Sequence, residues 1–401
     1  MALALEGIRV LDFTWVVAGP AATRVLADHG AEVIKVERRA SGFMLGTRRA
    51  GLMADLNRNK RSIAVNMAVP AGVELAHRLV KVSDIVVDNF SARVMRQWGM
   101  DYQSLARIKP DIICMSMSGF GHTGPRANFV SYGPTLQALS GFTLDMQDEQ
   151  GRPAGFGYSY ADMAGGYSGA LAALIALWHR RRTGEGQFID VSQFEALVSV
   201  VGPSILDLTV NGRRQPPPKW SPQEEPAAPH GVYRCRPEGE DADRWIAISV
   251  RSHSDWRRFV AAIGSPRWAS DARFHTLFGR MQNRELLDRQ VARWTAEQDA
   301  WQAMRRLQDA SIAAAVVSNA EDLCKRDEQL KARNFWPTIN LPDGGQINLT
   351  GIPFQLSETP GALRRPAPEI DQDRDWVLSE VLGLGQSERQ ALLAAGAIYT
   401  D

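Results

Sequence analysis

The residues that could do chemistry fall in a few short stretches. Tyr158-Ser-Tyr-Ala-Asp-Met-Ala-Gly-Gly166 carries one carboxylate, Asp162, ahead of a run of small and apolar residues ending at Trp178. Aspartate suits a helix N-cap, because its carboxylate accepts from the free N–H groups of the first turn. The partial positive charge at that helix end also stabilises an anion. Two roles therefore stand open for Asp162: the cap of an ordinary buried helix, or a carboxylate held ready for nucleophilic attack. Small residues at 164, 165, 166, 168 and 169 would let another backbone or a ligand come close. A second group comprises Arg38 and Arg39, Asn89 and Phe90, and the loop Ser118-Gly119-Phe120-Gly121-His122. Arginine clamps phosphate in a bidentate way, so an arginine pair with a ring and an amide suits an adenine nucleotide. Taken singly, the arginines read as a solvated turn and Phe90 as core.

The elements that must position these residues alternate. Ile8 to Phe13 reads as a strand, followed by a Gly19-Pro20 turn, a helix from Ala21 to His29 and a strand from Glu32 to Val36. That is the spacing of a βαβ crossover and a parallel sheet. Strands at Ser62–Val65, Asp84–Val87, Asp111–Met117 and Gln187–Val191 continue the pattern, with helices at Pro70–Val82, Val94–Trp98, Tyr102–Ile108 and Phe194–Val201. The fold class is α/β, a doubly wound, Rossmann-like layer structure. Ligands of such sheets collect at the carboxyl ends of the strands. Those ends carry Trp15 to Ala18, Glu37 to Arg39, Asn89 with Phe90, and Ser118 to His122. The first turn lacks G-x-G-x-x-G, and no G-x-x-x-x-G-K-[ST] loop occurs, which disfavours a nicotinamide dehydrogenase or a nucleotide hydrolase.

The 401 residues, 44% hydrophobic, suffice for a large core and suggest two domains. A net charge of +1 gives no global argument for nucleic acid or an anionic membrane. The three cysteines, Cys114, Cys235 and Cys324, form no Cys/His cluster, so no metal site is expected and a reducing, cytoplasmic setting is. The N-terminus does not read as a signal peptide. The longest apolar stretch, 169–178, is about half of what a bilayer span needs, so no membrane partner is expected. The proline-rich segment 211–229 reads as a linker after a first domain of residues 1–210. Residues 230–315 then form a smaller α+β domain. From 316 the chain is expected to return to the large domain, with Ile312–Val317 beginning that return. A hairpin at Gly344-Gly345 and a helix from Arg374 to Leu384 complete the expected elements.

The chain resembles the class III coenzyme A transferases, the CaiB/BaiF group, in collinear blocks over nearly its whole length. These are LEGIRVLDFTWVVAGPAATRVLADHGAEVIKVERR near the start, NKRSIAVNM (59–67), DIVVDNF (84–90), GFGHTGP (119–125), YADMAGG (160–166), RTGEGQFIDVSQFEAL (182–197), APHGVYRC (228–235) and GIPFQLSETP (351–360). The resemblance implies that Asp162 is a covalent nucleophile, and that Val16, Ala18, Arg38, Val65, Asn89 and Phe90 bind CoA. It implies further that Tyr132, in the SYGPTLQALSG block, lies near the thioester. The implied fold is a large Rossmann-like domain built from both chain ends with a small domain between, two chains interlocking as a dimer. The substrates are an acyl-CoA and a carboxylic acid, CoA thioester being a substrate and no cofactor bound permanently. The partner chain is a second copy or a related subunit. Oxyanion donors are sought at Gly165, Gly166 and glycines of the small domain.

Within the same fold, α-methylacyl-CoA racemases also carry this aspartate and pair it with a histidine. Tyr132 occupies the histidine's place here, and phenols, titrating near 10, are poor partners for moving an α-proton. The racemase, and a CoA-binding subunit without catalysis, are the alternatives to the transferase. The small domain lacks an obvious glycine-rich loop, residues 236–244 reading RPEGEDADR, which speaks against oxalate. Gln97 and Arg93 depart from the residues usual at their positions. Arg48, Arg49 or Arg58, if turned to the acyl group, would pair with the distal carboxylate of a dicarboxylic acid such as succinate, malate, mesaconate or benzylsuccinate.

Overall fold

The structure is a computed structural model and describes residues 2–38, 51–91, 93–146, 148, 151–155, 157–212, 226–239, 243–341 and 344–399. The chain divides into two compact units, Met1–Pro216 with Lys331–Asp401, and Pro217–Leu330.

The first unit runs β1 (Arg9–Asp12), α1 (Ala18–Asp28), β2 (Glu32–Glu37), α2 (Gly51–Asn57), β3 (Arg61–Ala64), α3 (Pro70–Lys81) and β4 (Ile85–Asp88). It continues with α4 (Val94–Gln97), α5 (Tyr102–Ile108), β5 (Ile113–Ser116), α6 (Gly133–Leu139), α7 (Phe142–Asp145), α8 (Tyr160–Thr183), β6 (Phe188–Asp190), α9 (Gln193–Val198) and α10 (Gly202–Asn211). Among the described residues, six strands pair in the order β3-β2-β1-β4-β5-β6, all parallel. The order reverses between β1 and β4, so the loops after these two strands diverge and leave a crevice at their carboxyl ends.

The strands are short apolar runs because both sheet faces are covered. Leu11, Ile34, Ile63 and Val86 face one side, with Leu75 and Leu79 of α3 and with Val377 and Leu378 from the C-terminal segment. Val10, Val33, Ile85, Val87, Ile113 and Met115 face the other, packed on Ala22 and Leu26 of α1 and Ala170, Ala173 and Ala176 of α8. Helix α1 begins earlier than expected. Gly19 and Pro20 lie inside its first turn, where the missing N–H of proline costs nothing.

The small residues of α8 face α1. A Cβ on Gly166 would stand 2.8 Å from Ala21 Cβ and 3.0 Å from the Ala18 carbonyl oxygen. The opposite face of α8, Tyr167, Leu171, Leu174, Ile175 and Trp178, is exposed at helical spacing. Gly184, at φ +77°, ends the helix after Arg180–Arg182, as the dipole favours.

In the second unit, β7 (His230–Arg234), β8 (Trp245–Ser249) and β9 (Ala313–Val316) pair antiparallel in that order. Ile312–Val317 therefore continues this sheet; it does not begin a return to the first unit, and the second unit extends to Leu330. Helices of this unit supply Trp256, Phe259, Leu287, Val291 and Leu307 to its own core. After Lys331 come the hairpin Thr338–Asn340 with Gln346–Asn348, helical turns at Arg374–Trp376 and Val377–Val381, and a helix at Gln386–Ala394 that the sequence reading did not separate.

Candidate active site

A cavity of about 460 Å³ opens at the β1/β4 switch point. Val16, Arg38, Val65 and Phe90 line it, together with Trp15, Lys35, Glu37, Met53 and Trp98. Trp15, Phe90 and Trp98 form a chain of rings, Phe90 lying 6.5 Å from Trp15 and edge-on to Trp98 at 5.7 Å. Asn89 works from behind. Its side-chain oxygen accepts from the Trp15 N–H at 2.9 Å and its amide donates to the Trp15 carbonyl at 2.8 Å. This reciprocal pair joins the β1 and β4 loops. Between the anchored neighbours, Val16 sits at φ +59°, a region that β-branched residues avoid. Ala18 is not a lining residue; it is buried where α1 meets α8. Arg39, Arg48 and Arg49 lie outside the described residues.

Asp162 is not the cap of its helix. Ser159 holds the N-cap position of α8, and Asp162 is the third helical residue, inside the positive end of the dipole. The first turn is held from α6, whose Gln137 side chain accepts from the Tyr160 N–H at 2.7 Å. Tyr132, exposed, caps α6, and Gly133 follows it against Asp162. A Cβ at Gly133 would fall 2.8 Å from Asp162 Oδ2, so only glycine admits this approach of α6 to the carboxylate. Burial raises the pKa of Asp162, and the adjacent Ser159 hydroxyl opposes the rise. A more basic carboxylate is a stronger nucleophile once ionised. Met163 packs with Val17 and Ala21 in the same apolar cluster as Val16 and Met53, both of which line the cavity.

Gly165 and Gly166 are the sixth and seventh residues of α8, beyond the four N–H groups that a helix leaves free. Gly165 is covered by the Gln193 side chain and Gly166 by α1, so neither is placed to donate to an oxyanion. Arg58 is likewise committed. It is fully buried, paired with Asp28 at 2.7 Å and Asp55 at 2.7 Å, and has no free face for an acyl carboxylate.

His122 turns its Nε2 to the Ser116 hydroxyl at 2.6 Å, and burial lowers its pKa. The same hydroxyl donates to Asp88, a buried carboxyl that desolvation pushes up to about 7 and that also accepts from the Phe90 N–H. Sequence reasoning missed Asp88, Ser116 and Trp98. Aromatic type alone could have flagged Trp98; nothing local marks the other two. Among the described residues, no group of three or more His, Cys, Asp or Glu could hold a metal ion. No helix among them is long and apolar enough to cross a membrane.

Comparison with known proteins agrees with this geometry. The profile of the CoA-transferase family III matches residues 5–374. The succinate–glutarate CoA-transferase of Agrobacterium fabrum (strain C58 / ATCC 33970) is 30% identical over 94% of this chain and 95% of its own. The succinyl-CoA–D-citramalate CoA-transferase of Chloroflexus aurantiacus (strain ATCC 29366 / DSM 635 / J-10-fl) is 29% identical, with 98% of each chain covered. A crystal structure of a CAIB/BAIF family protein from Brucella suis superposes with a TM-score of 0.85 at 27% identity, over 95% of this chain and 100% of the other. With a family profile spanning nine-tenths of its length and a matching fold, this chain belongs to the class III CoA-transferases.

Proposed function

We propose that this chain carries CoA from succinyl-CoA to a second dicarboxylic acid through a covalent intermediate on Asp162. The observation that carries the reading is the place of Asp162 in the first turn of α8, beside an apolar cluster in which Met163 joins Val16 and Met53 of the cavity lining. The nucleotide half of CoA lies among Val16, Arg38, Val65 and Phe90, over a loop braced by Asn89, and the thioester reaches the first turn of α8. Tyr132 bounds that end, with Ala18 behind it in the α1–α8 contact. The names of the Agrobacterium and Chloroflexus relatives support succinyl-CoA and a dicarboxylic acceptor.

In the first exchange an Asp162 oxygen attacks the thioester carbonyl, the C–S bond breaks, and CoA leaves as thiolate with a mixed anhydride on the enzyme. The thiolate then attacks the aspartyl carbonyl, releasing succinate and leaving an aspartyl-CoA thioester. The acceptor carboxylate repeats the two steps in reverse, and Asp162 is regenerated with no net proton change. N–H groups in the first turn of α8 supply donors to the tetrahedral oxyanions.

The exposed face of α8 is apolar, and Leu206 and Val210 of α10 are exposed as well. A second copy, or a related subunit, covers it in the interlocked dimer of the proposal.

Incubating the protein with succinyl-CoA and a panel of dicarboxylic acids tests the reading. New acyl-CoA with ping-pong kinetics is expected. Exchange of an α-proton with deuterated solvent and no acyl transfer would instead select the racemase, for which the aim of His122 at Ser116 offers no support. No reaction by the pure chain, with activity restored only by another subunit, would select the non-catalytic alternative.

A further inference from the structure

We propose that the buried Asp12–Lys60 pair is a positioning device for acyl-CoA, fixing the Phe13–Val17 loop in its cavity-lining shape without touching the substrate. Both side chains are fully buried, and neither lines the cavity. Lys60 Nζ lies 3.2 Å from Asp12 Oδ2 and donates to the Pro20 carbonyl at 3.1 Å and to Asn57 Oδ1 at 3.2 Å. Asp12 Oδ1 accepts from the Thr14 N–H at 2.8 Å and the Thr14 hydroxyl at 2.5 Å, and Oδ2 accepts from the Thr23 hydroxyl at 2.7 Å. Lys35 Nζ donates to the Thr14 carbonyl at 2.5 Å.

Almost every bond of the cluster therefore goes to the loop or to the start of α1. Thr14 is pinned at its N–H, hydroxyl and carbonyl, Pro20 and Thr23 are pinned beyond the loop, and Asn89 holds Trp15 from across the crevice. Val16, directly after the pinned Trp15, is held at its left-handed φ of +59° by these surroundings. A buried ion pair is a poor stabiliser, since well-packed apolar residues of similar volume often do as well or better. Burial pushes the Lys60 ammonium down to about 7 against the pull of Asp12; Asp12 itself, which burial would raise, is brought to about 2 by Lys35, Lys60 and the two threonines. What the pair provides in return is one conformation of one loop.

The inference rests on the proposed seating of the CoA nucleotide in this cavity, so its test compares succinyl-CoA with succinyl-pantetheine, which lacks that half. In the full chain, Lys60→Met is expected to raise the KM for succinyl-CoA about tenfold, with kcat and the KM for succinyl-pantetheine changed less than about twofold. An unchanged KM, or equal loss with both thioesters, overturns the proposal, the second outcome marking a general structural role. If Lys60→Met does not fold, the isosteric Thr23→Val replaces it, with an expected rise of about threefold confined to succinyl-CoA. No such rise overturns the proposal. A wild-type protein indifferent to the nucleotide half removes the cavity reading itself; a wild-type preference that Lys60→Met retains removes only the positioning role.

Discussion

At the scale of single residues, Asp162 has a cost built into its place. Burial raises its pKa, so the folded protein holds this proton more tightly than the unfolded chain does. Stability therefore falls as pH rises from the ordinary carboxylate range through the folded value, and the charged form that the proposed attack needs is the destabilised one. Asp162→Asn is expected to lower kcat at least about 10³-fold. It is expected to raise Tm by about 2 °C at neutral pH, read by calorimetry beside the assay. The acid limb of the wild-type pH–rate profile should lie above the ordinary carboxylate value of about 3.9. Arg58 makes the contrary case. It was a candidate for an acyl carboxylate, yet its guanidinium serves Asp28 and Asp55, so Arg58→Met should cost about 3–5 kcal/mol in denaturant unfolding without changing which acid is preferred. The place of Asp162 near the start of a helix was legible because it is set locally, whereas the approach of Gly133 from α6 was not. The partners of Arg58 are 30 and 3 residues away, and the distant one is visible only once the sheet is built.

At the scale of elements, the packing of α8 on α1 sets where the carboxylate stands. Gly166→Ala would drive a methyl into Ala21 and the Ala18 carbonyl, at an expected cost of about 1–3 kcal/mol, with kcat falling as the first turn of α8 shifts. The stripe of small residues announced a close approach from the sequence, but not that the approaching backbone is α1 and no ligand. The other face of α8 carries Leu171 and Ile175, both 59% exposed. Leu171→Asp with Ile175→Asp should convert the proposed dimer to monomers in sedimentation, and an unchanged mass would remove this face as the interface. β9 shows where local reading stops. Ala-Ala-Ala-Val has no alternation that says which sheet receives it, and only its pairing with β8 assigns it to the second unit.

At the scale of the whole molecule, the alternation of apolar runs and amphipathic helices gave away a parallel sheet, since strands covered on both faces leave that trace. The strand order did not follow from it. The reversal between β1 and β4 is a long-range choice, and it is what brings Val16 and Phe90 to one cavity while Asp88 and Ser116 stay hidden beneath. In the proposed mechanism Asp162 carries first the acyl group and then CoA. This is tested most directly by mixing the protein with succinyl-CoA without an acceptor, trapping with hydroxylamine and weighing the peptide that contains Asp162. A hydroxamate on Asp162, absent from Asp162→Asn, is the predicted result. An unmodified Asp162 in a protein that still turns over, or activity undiminished in Asp162→Asn, would contradict it.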